Sequence, residues 1–307
     1  MKTYTTYTVI GGDERAACLS NHLAQSPDKR VCALFLEQSK RLSTAVVQST
    51  DSNRYLPQSD VSIFPLPVLD AEGDINTPLS STRVGLFDCL SLLRPGTLVL
   101  AGQLPAAFQQ QLAQNGLTAV DYAAREEFAV RNAIPTAEGA VEIALRETAQ
   151  TLFGAECLVL GYGRIARVLV GLLRAFGARV GTAARRHGDL AWITAAGAQA
   201  IPFARVDSAL PTADIIFNTV PAPVLGAAQL VRLKSGCLII DLASRPGGVD
   251  REAAAQCGVK TIWALSLPGR TAPDSAGVIL CDTIDNILEE KNAEGWQITP
   301  PAERRQK

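Results

Sequence analysis

The chain has 307 residues, 47% hydrophobic and 19% charged, which is enough apolar material for two folded domains and too much for disorder. Lysine plus arginine number 29 against 30 aspartate plus glutamate, and this balance argues against a basic face given over to nucleic acid. The longest uncharged stretches, such as residues 215–231, are broken by Asn, Thr, Gln and two prolines, so no membrane-spanning helix is expected.

The first residues, MKTYTTYTVIGG, show no basic segment ahead of an apolar one, so no signal peptide is expected and the cytoplasm is the expected compartment. Seven cysteines form no C-x-x-C pair and sit mostly in apolar runs, as small buried hydrophobes in a reducing cytosol would. The two histidines, His22 and His187, are too few for most zinc sites and weaken any scheme with a histidine acid or base.

In chain order, the sequence predicts a strand at 5–10, a helix at 14–24 and strands at 31–36, 61–66, 97–101 and 117–121. Residues 50–60 and 70–83 are rich in Ser, Asp, Asn and Pro and read as loops. A helix is expected from Thr136 as N-cap to Thr151, joining two halves. Strands follow near 156–160, 179–183, 198–203, 214–218, 237–241 and 260–264. A last helix at 275–291 places Leu280, Ile284, Ile287 and Leu288 on one stripe, and a polar tail ends the chain. Strands alternating with helices imply parallel sheets covered on both faces.

The sharpest motif lies in residues 156–180, ECLVLGYGRIARVLVGLLRAFGARV. A strand runs into Gly161-x-Gly163-x-x-Ala166 and then into a helix whose Ile165, Val168, Leu169, Leu172, Leu173 and Phe176 share a face. Gly161 permits the tight turn, Gly163 lets the backbone approach a pyrophosphate at the helix N-terminus, and Ala166 lets helix and strand pack closely. Tyr162, Arg164 and Ile165 complete this dinucleotide-binding turn. An NAD enzyme places Asp or Glu at the end of the next strand for the ribose 2′-hydroxyl. Here Arg185 and Arg186 stand 24 and 25 residues after Gly161. A guanidinium fork suits a 2′-phosphate, so NADP is the expected cofactor, against the plainer reading of two surface arginines.

Ligands of doubly wound sheets lie beyond the carboxyl ends of the strands. Asn218, Thr219, Val220 and Pro221 follow one strand and suit the nicotinamide end of the cofactor, with Leu242 and Ala243 after the next. Arg245 and Arg270 sit in two Gly/Pro-rich loops and are candidates for binding carboxylates, against ordinary turn chemistry. Glu138, in the first turn of the expected bridging helix, either complements the helix dipole or faces the cleft to orient substrate or accept a proton. Asp13 and Arg15, in the first βα turn, are further candidates to reach the cleft.

Taken together, VIGGDER, NAIPTAEG, LGYGRIAR, GTAAR, FNTVP, DLASRPGGVD and LPGRTAPDSAG resemble the A-type subunits of dipicolinate synthase from spore-forming bacteria, over nearly the full length. Ser266 stands where that family usually has glycine before LPG. The resemblance implies an α/β protein of two Rossmann-like, doubly wound parallel-sheet domains arranged as in formate/glycerate and alanine dehydrogenases. The expected parts are a flavodoxin-like substrate-side domain over 1–130, a bridging helix over 131–152 and an NAD(P) domain over 153–273. A helix over 274–292 would pack back on the first domain, ahead of the tail at 293–307.

The implied reaction is NADP-dependent oxidation of a dihydrodipicolinate-type ring from the lysine pathway to pyridine-2,6-dicarboxylate during sporulation. Arg245 and Arg270 would anchor the two carboxylates, with Ser244 beside them, and water or Glu138 would take a proton. The implied partner is the second, flavoprotein-like B-type subunit of dipicolinate synthase, with a homo-oligomer also expected. Two alternatives stand beside this: another two-domain dehydrogenase of the alanine dehydrogenase or adenosylhomocysteinase type, and a non-catalytic NADPH-binding subunit.

Overall fold

A computed structural model describes residues 4–296, so the expected tail from 297 onward lies outside the described residues. By contacts the chain divides into two units, one made of residues up to 131 together with those from 273, the other of 132–272.

The first unit contains β1 (Thr5–Ile10), α1 (Glu14–Leu23), β2 (Lys29–Leu34), β3 (Val47–Ser49), α2 (Ser52–Tyr55), β4 (Val61–Ile63), α3 (Leu86–Ser91), β5 (Leu98–Ala101), α4 (Ala106–Gln114) and β6 (Thr118–Asp121). All its strand pairings are parallel, in the order β3-β2-β1-β4-β5-β6. This is the Rossmann order. It contains the flavodoxin-like order expected from sequence, and the three-residue β3 adds an edge strand just ahead of the segment read as a loop. That segment itself holds the short helix α2. Neither has a strong pattern, since β3 is largely exposed and α2 has no buried residue.

Alternate residues of these strands supply opposite faces, as the pleat requires. Tyr7, Val9, Val31 and Leu98 enter one core, while Ile10, Cys32, Leu34 and Val99 enter the other. Burial on both faces is why these segments read as near-continuous apolar runs.

α5 (Glu126–Glu147) crosses the boundary, with 126–131 in the first unit and 132–147 in the second. The helix expected from Thr136 therefore starts ten residues earlier, and it ends before Thr151. Thr136 is not its N-cap, because its hydroxyl donates back to the Asn132 carbonyl at 2.8 Å, one turn earlier. Pro135 lies inside the helix, where it forfeits one backbone hydrogen bond and ordinarily marks a boundary. Burial of Ala133, Ala137, Ala140 and Ala144 outweighs that loss.

The second unit continues with β7 (Glu156–Leu160), α6 (Arg164–Ala175), β8 (Arg179–Ala184), α7 (His187–Ala195), β9 (Gln199–Pro202), β10 (Ile215–Asn218), α8 (Ala227–Leu230), β11 (Leu238–Asp241), α9 (Arg251–Gln256), β12 (Lys260–Trp263) and α10 (Leu267–Thr271). Its strands are again parallel, in the order β12-β11-β10-β7-β8-β9, which is the same topology counted from β7. The stripe on α6 is narrower than expected. Leu169 and Leu173 are buried and Ile165, Val168 and Leu172 partly so, but Phe176 caps the helix and is 45% exposed.

α11 (Pro273–Ala293) belongs to the first unit and buries Leu280, Ile284 and Ile287 in its core, with Leu288 partly covered. It crosses α1 at Gly277, where an added Cβ would lie 2.6 Å from Cys18 Cβ and 3.2 Å from the Arg15 carbonyl oxygen. Gly277→Ala is expected to force the two helices apart at a cost of about 1–3 kcal/mol. Thermal unfolding of the variant should show a Tm lower by several degrees.

Candidate functional site

β7 delivers the chain to Gly161, whose φ of +93° makes the turn that only glycine adopts without strain. A side chain there would also strike Thr219 Oγ1 at 2.6 Å. Gly163 then caps α6 in an extended conformation and, having no side chain, leaves the helix without a side-chain N-cap. A Cβ on Gly163 would meet nothing within 4 Å, so open space lies against an uncapped helix N-terminus. Ala166, on the other side of the turn, is fully buried, as close helix–sheet packing requires. This combination fits a pyrophosphate.

Beside the turn is a cleft of about 190 Å³, lined by Gly161, Tyr162, Arg185, Arg186, Asp189 and Phe203 among others. Arg185 and Arg186 are exposed just past β8, and Arg185 stacks over the Phe203 ring, 5.4 Å from its centroid. Asp189, in the first turn of α7, is an acidic group at this rim that the reading by strand-end position did not find. It faces Arg167 at 3.4 Å, and Arg167 in turn lies over the Tyr162 ring. Arg164 is exposed and Ile165 half-buried at the start of α6.

At the carboxyl ends of β10 and β11, next to the turn, lies a buried polar node. Asp241, 3% exposed at the end of β11, accepts from Asn218 Nδ2 at 2.8 Å, from the Ala243 N–H at 3.1 Å and from the Gly248 N–H at 2.9 Å. Three donors satisfy a carboxylate that has been taken out of water. Asn218, fully buried, also accepts from the Val220 N–H at 3.0 Å, and the Thr219 hydroxyl donates to the Leu160 carbonyl at 2.8 Å. The 218–221 turn is thereby tied to β7, and Pro221 at its end is exposed. Gly248 is packed so tightly that a Cβ would lie 2.2 Å from Asn218 Nδ2 and 2.7 Å from the Val220 carbonyl oxygen.

The loop held by this node keeps Leu242 and Ala243 buried and pushes Ser244 and Arg245 outward, both exposed. Trp263 supports it from β12, donating from Nε1 to the Ala243 carbonyl at 2.9 Å. Arg245 lies 6.0 Å from the Trp263 ring centroid.

Arg270 is exposed in the last turn of α10, so the loop expected there is a short helix. Ser266 precedes that helix at φ +56°, ψ +30°, the left-handed region that favours glycine and costs other residues about 1–2 kcal/mol. The serine that departs from the family pattern therefore keeps a glycine-type backbone.

Glu138 is exposed but stands mid-helix, because α5 begins at Glu126. The dipole reading of Glu138 falls with that correction, since helix-end effects fade within the first turn. Both histidines are exposed on helices.

In the first unit, Asp13 caps α1 by accepting the Arg15 N–H at 3.1 Å, and its carboxylate also holds Arg15 Nε at 2.8 Å. Arg15 Nη2 donates to the Leu66 carbonyl at 3.0 Å. Burial works against the Arg15 charge, but Asp13 outweighs it and the guanidinium pKa lies above its ordinary value.

Strand, glycine turn, helix N-terminus and clamped strand-end loop define the second unit as a dinucleotide-binding domain of the dehydrogenase type. Residues 129–258 match the D-isomer specific 2-hydroxyacid dehydrogenase NAD binding domain, and residues 6–123 match the N-terminal domain of the dipicolinate synthase A-type subunit. The chain is 31% identical over 295 residues to the A-type subunit of dipicolinate synthase from Bacillus subtilis (strain 168), covering 96% of this chain and 99% of that one. It belongs to the family of dipicolinate synthase A-type subunits.

The crystal structure of the corresponding Bacillus halodurans protein superposes with a TM-score of 0.84 at 29% identity, covering 94% of this chain and 99% of the other. A transhydrogenase from Sinorhizobium meliloti shares the fold alone, with a TM-score of 0.69 at 19% identity over 96% of this chain and 99% of the other. Among the described residues, no helix is long and apolar enough to cross a membrane.

Asp241→Ala removes the acceptor shared by Asn218, Ala243 and Gly248. Each buried donor left unpaired costs about 1–3 kcal/mol. The variant should unfold at a clearly lower temperature and bind the dinucleotide more weakly, whereas Asp241→Asn, which keeps one acceptor, should lose less. Calorimetry and cofactor titration measure the two effects.

Proposed function

We propose that the protein is the dehydrogenase subunit of a dipicolinate synthase, oxidising a dihydrodipicolinate-type ring to pyridine-2,6-dicarboxylate with NADP⁺. The observation that carries this reading is the Asp241-clamped loop, which presents exposed Arg245 from the same carboxyl edge of the sheet as the glycine turn. Family membership supports the ring dicarboxylate as substrate.

NADP⁺, when bound, supplies the hydride acceptor. The chain's own work is then to orient the ring and dispose of one proton. Aromatisation provides driving force, so orientation matters more here than strong acid–base catalysis. Arg245 and Arg270 hold the two carboxylates, Ser244 adds a hydroxyl beside Arg245, and Glu138 or water accepts the proton. Asn218, Thr219, Val220, Pro221, Leu242 and Ala243 support the nicotinamide end. The flavoprotein-like B-type subunit joins the assembly, and the compartment is the cytoplasm of a sporulating mother cell.

Arg185 and Arg186 at the rim, with Asp189 turned to Arg167, support NADP over NAD. The pairing matters because an Asp free to meet a ribose would favour the 2′-hydroxyl. Arg185→Ala should weaken NADP⁺ binding about 10- to 100-fold and NAD⁺ binding hardly at all. Equal losses for both cofactors, read by calorimetric titration, would contradict a 2′-phosphate role.

Arg245→Ala should lose turnover by about 10- to 1000-fold while NADP⁺ affinity stays within about two-fold. Normal turnover would remove Arg245 from the substrate site. The reaction itself is tested by coupling aspartate semialdehyde, pyruvate and dihydrodipicolinate synthase to this chain and following NADPH and dipicolinate, with and without the B-type subunit. Dipicolinate in neither case would sink the assignment. Dipicolinate made by this chain alone, even slowly, would exclude a non-catalytic role.

A further inference from the structure

The dinucleotide cleft of the second unit holds one charge that opposes a 2′-phosphate. Its charged lining residues are Arg185, Arg186 and Asp189. A carboxylate at this rim repels a phosphate monoester and competes with it for the two guanidinium groups. It also offers a ribose 2′-hydroxyl the kind of acceptor that NAD enzymes use.

Asp189 follows Arg186 by three residues and Arg185 by four, yet among the described residues its ion-pair partner is neither of them. It meets Arg167 Nη2, brought from the first turn of α6, at 3.4 Å. Arg185 and Arg186 are left without an ion-pair partner among the described residues, and Arg185 rests on the Phe203 ring. The side chains of Arg167 and Asp189 are 55% and 26% exposed, so their pairing adds little to folding stability. Its consequence lies in the charge it presents to the cleft.

Arg167 is held at three points. Its Nε donates to the Tyr162 carbonyl at 3.4 Å, its guanidinium lies 5.3 Å from the Tyr162 ring centroid, and Nη2 faces Asp189. Tyr162 and Asp189 both line the cleft, and Arg167 stands behind them, outside the lining.

We propose that Arg167 is a cofactor-specificity residue, a positioning residue that commits Asp189 to itself and so leaves Arg185 and Arg186 for a 2′-phosphate. Removing it frees Asp189 to pair with either rim arginine or to accept a ribose 2′-hydroxyl. Both changes shift the chain from NADP toward NAD. This role rests on the NADP preference proposed above.

The test is a double-mutant cycle on the full chain, with NADPH and NADH each titrated by calorimetry. Arg167→Met should weaken NADPH by about 10-fold and leave NADH unchanged or tighter. Asp189→Asn alone should change NADPH affinity by less than about three-fold, because Arg167 already cancels that charge. In the Arg167→Met/Asp189→Asn chain, NADPH affinity should return to within about three-fold of the unsubstituted value. Circular dichroism spectra should be native throughout, as expected for an exposed pair.

A loss of NADPH affinity that persists in the double variant would overturn the proposal, since Arg167 would then meet the phosphate itself or hold the glycine turn. Equal gains from Asp189→Asn with and without Arg167 would also overturn it, because the two charges would be acting independently. An unsubstituted chain that binds NADH as tightly as NADPH removes the NADP reading. The role of Arg167 then stands if Arg167→Met still lowers NADPH relative to NADH and Asp189→Asn reverses the change. An NADPH preference that survives Arg167→Met intact does the opposite, removing the role of Arg167 and keeping the NADP reading.

Discussion

The architecture of the second unit's ligand face depends on one buried carboxylate. Asp241 is 3% exposed, and its hydrogen bonds come from an amide side chain and two backbone N–H groups. Such a group is tolerated inside a protein only when its lone pairs are met. Meeting them fixes three things at once: the end of β10 through Asn218, the turn that follows it through Val220, and the return of the 241–248 loop through Gly248. The tightness at Gly248 is the geometric cost of that closure, because no side chain fits between the loop and Asn218. Ser244 and Arg245 are exposed for the same reason, since the loop's inner surface is consumed by the node.

The two units share one strand order and differ at the turn that matters most. In the second, glycines and an uncapped α6 leave positive helix-end potential facing open space. In the first, the equivalent turn after β1 carries Asp13, which spends that potential within the protein and orients Arg15. A common topology therefore presents opposite electrostatics, and function follows the site rather than the fold. The overall charge of −1 conceals this, because it sums over surfaces that cancel.

The central strands were legible because they are buried on both faces, and β1, β7, β10 and β11 end at or next to Gly, Asn or Asp. The G-x-G-x-x-A turn was legible because its spacing is set by backbone geometry. What escaped had a tertiary cause. Pro135 is a strong local stop signal, yet burial of alanines on both sides carries α5 through it. β3 has too little burial to leave a pattern. Asp241 reads in the sequence only as the end of the strand at 237–241, because a buried carboxylate is recognised by its partners 23 positions back and 7 ahead, not by its neighbours. Asp189 was missed since a helix, not the strand end, brings it to the rim.

The scarcity of histidine constrains chemistry more than any other number in the composition. His22 and His187 are both exposed on helices, and among the described residues neither has the fixed partner that would orient it as a general base. An oxidation whose barrier rested on a well-placed base would be poorly served by this chain. One driven by formation of an aromatic ring asks instead for rigid placement of an anionic substrate. The buried Asp241 node and the half-buried, doubly held Arg15 are placements of that rigid kind.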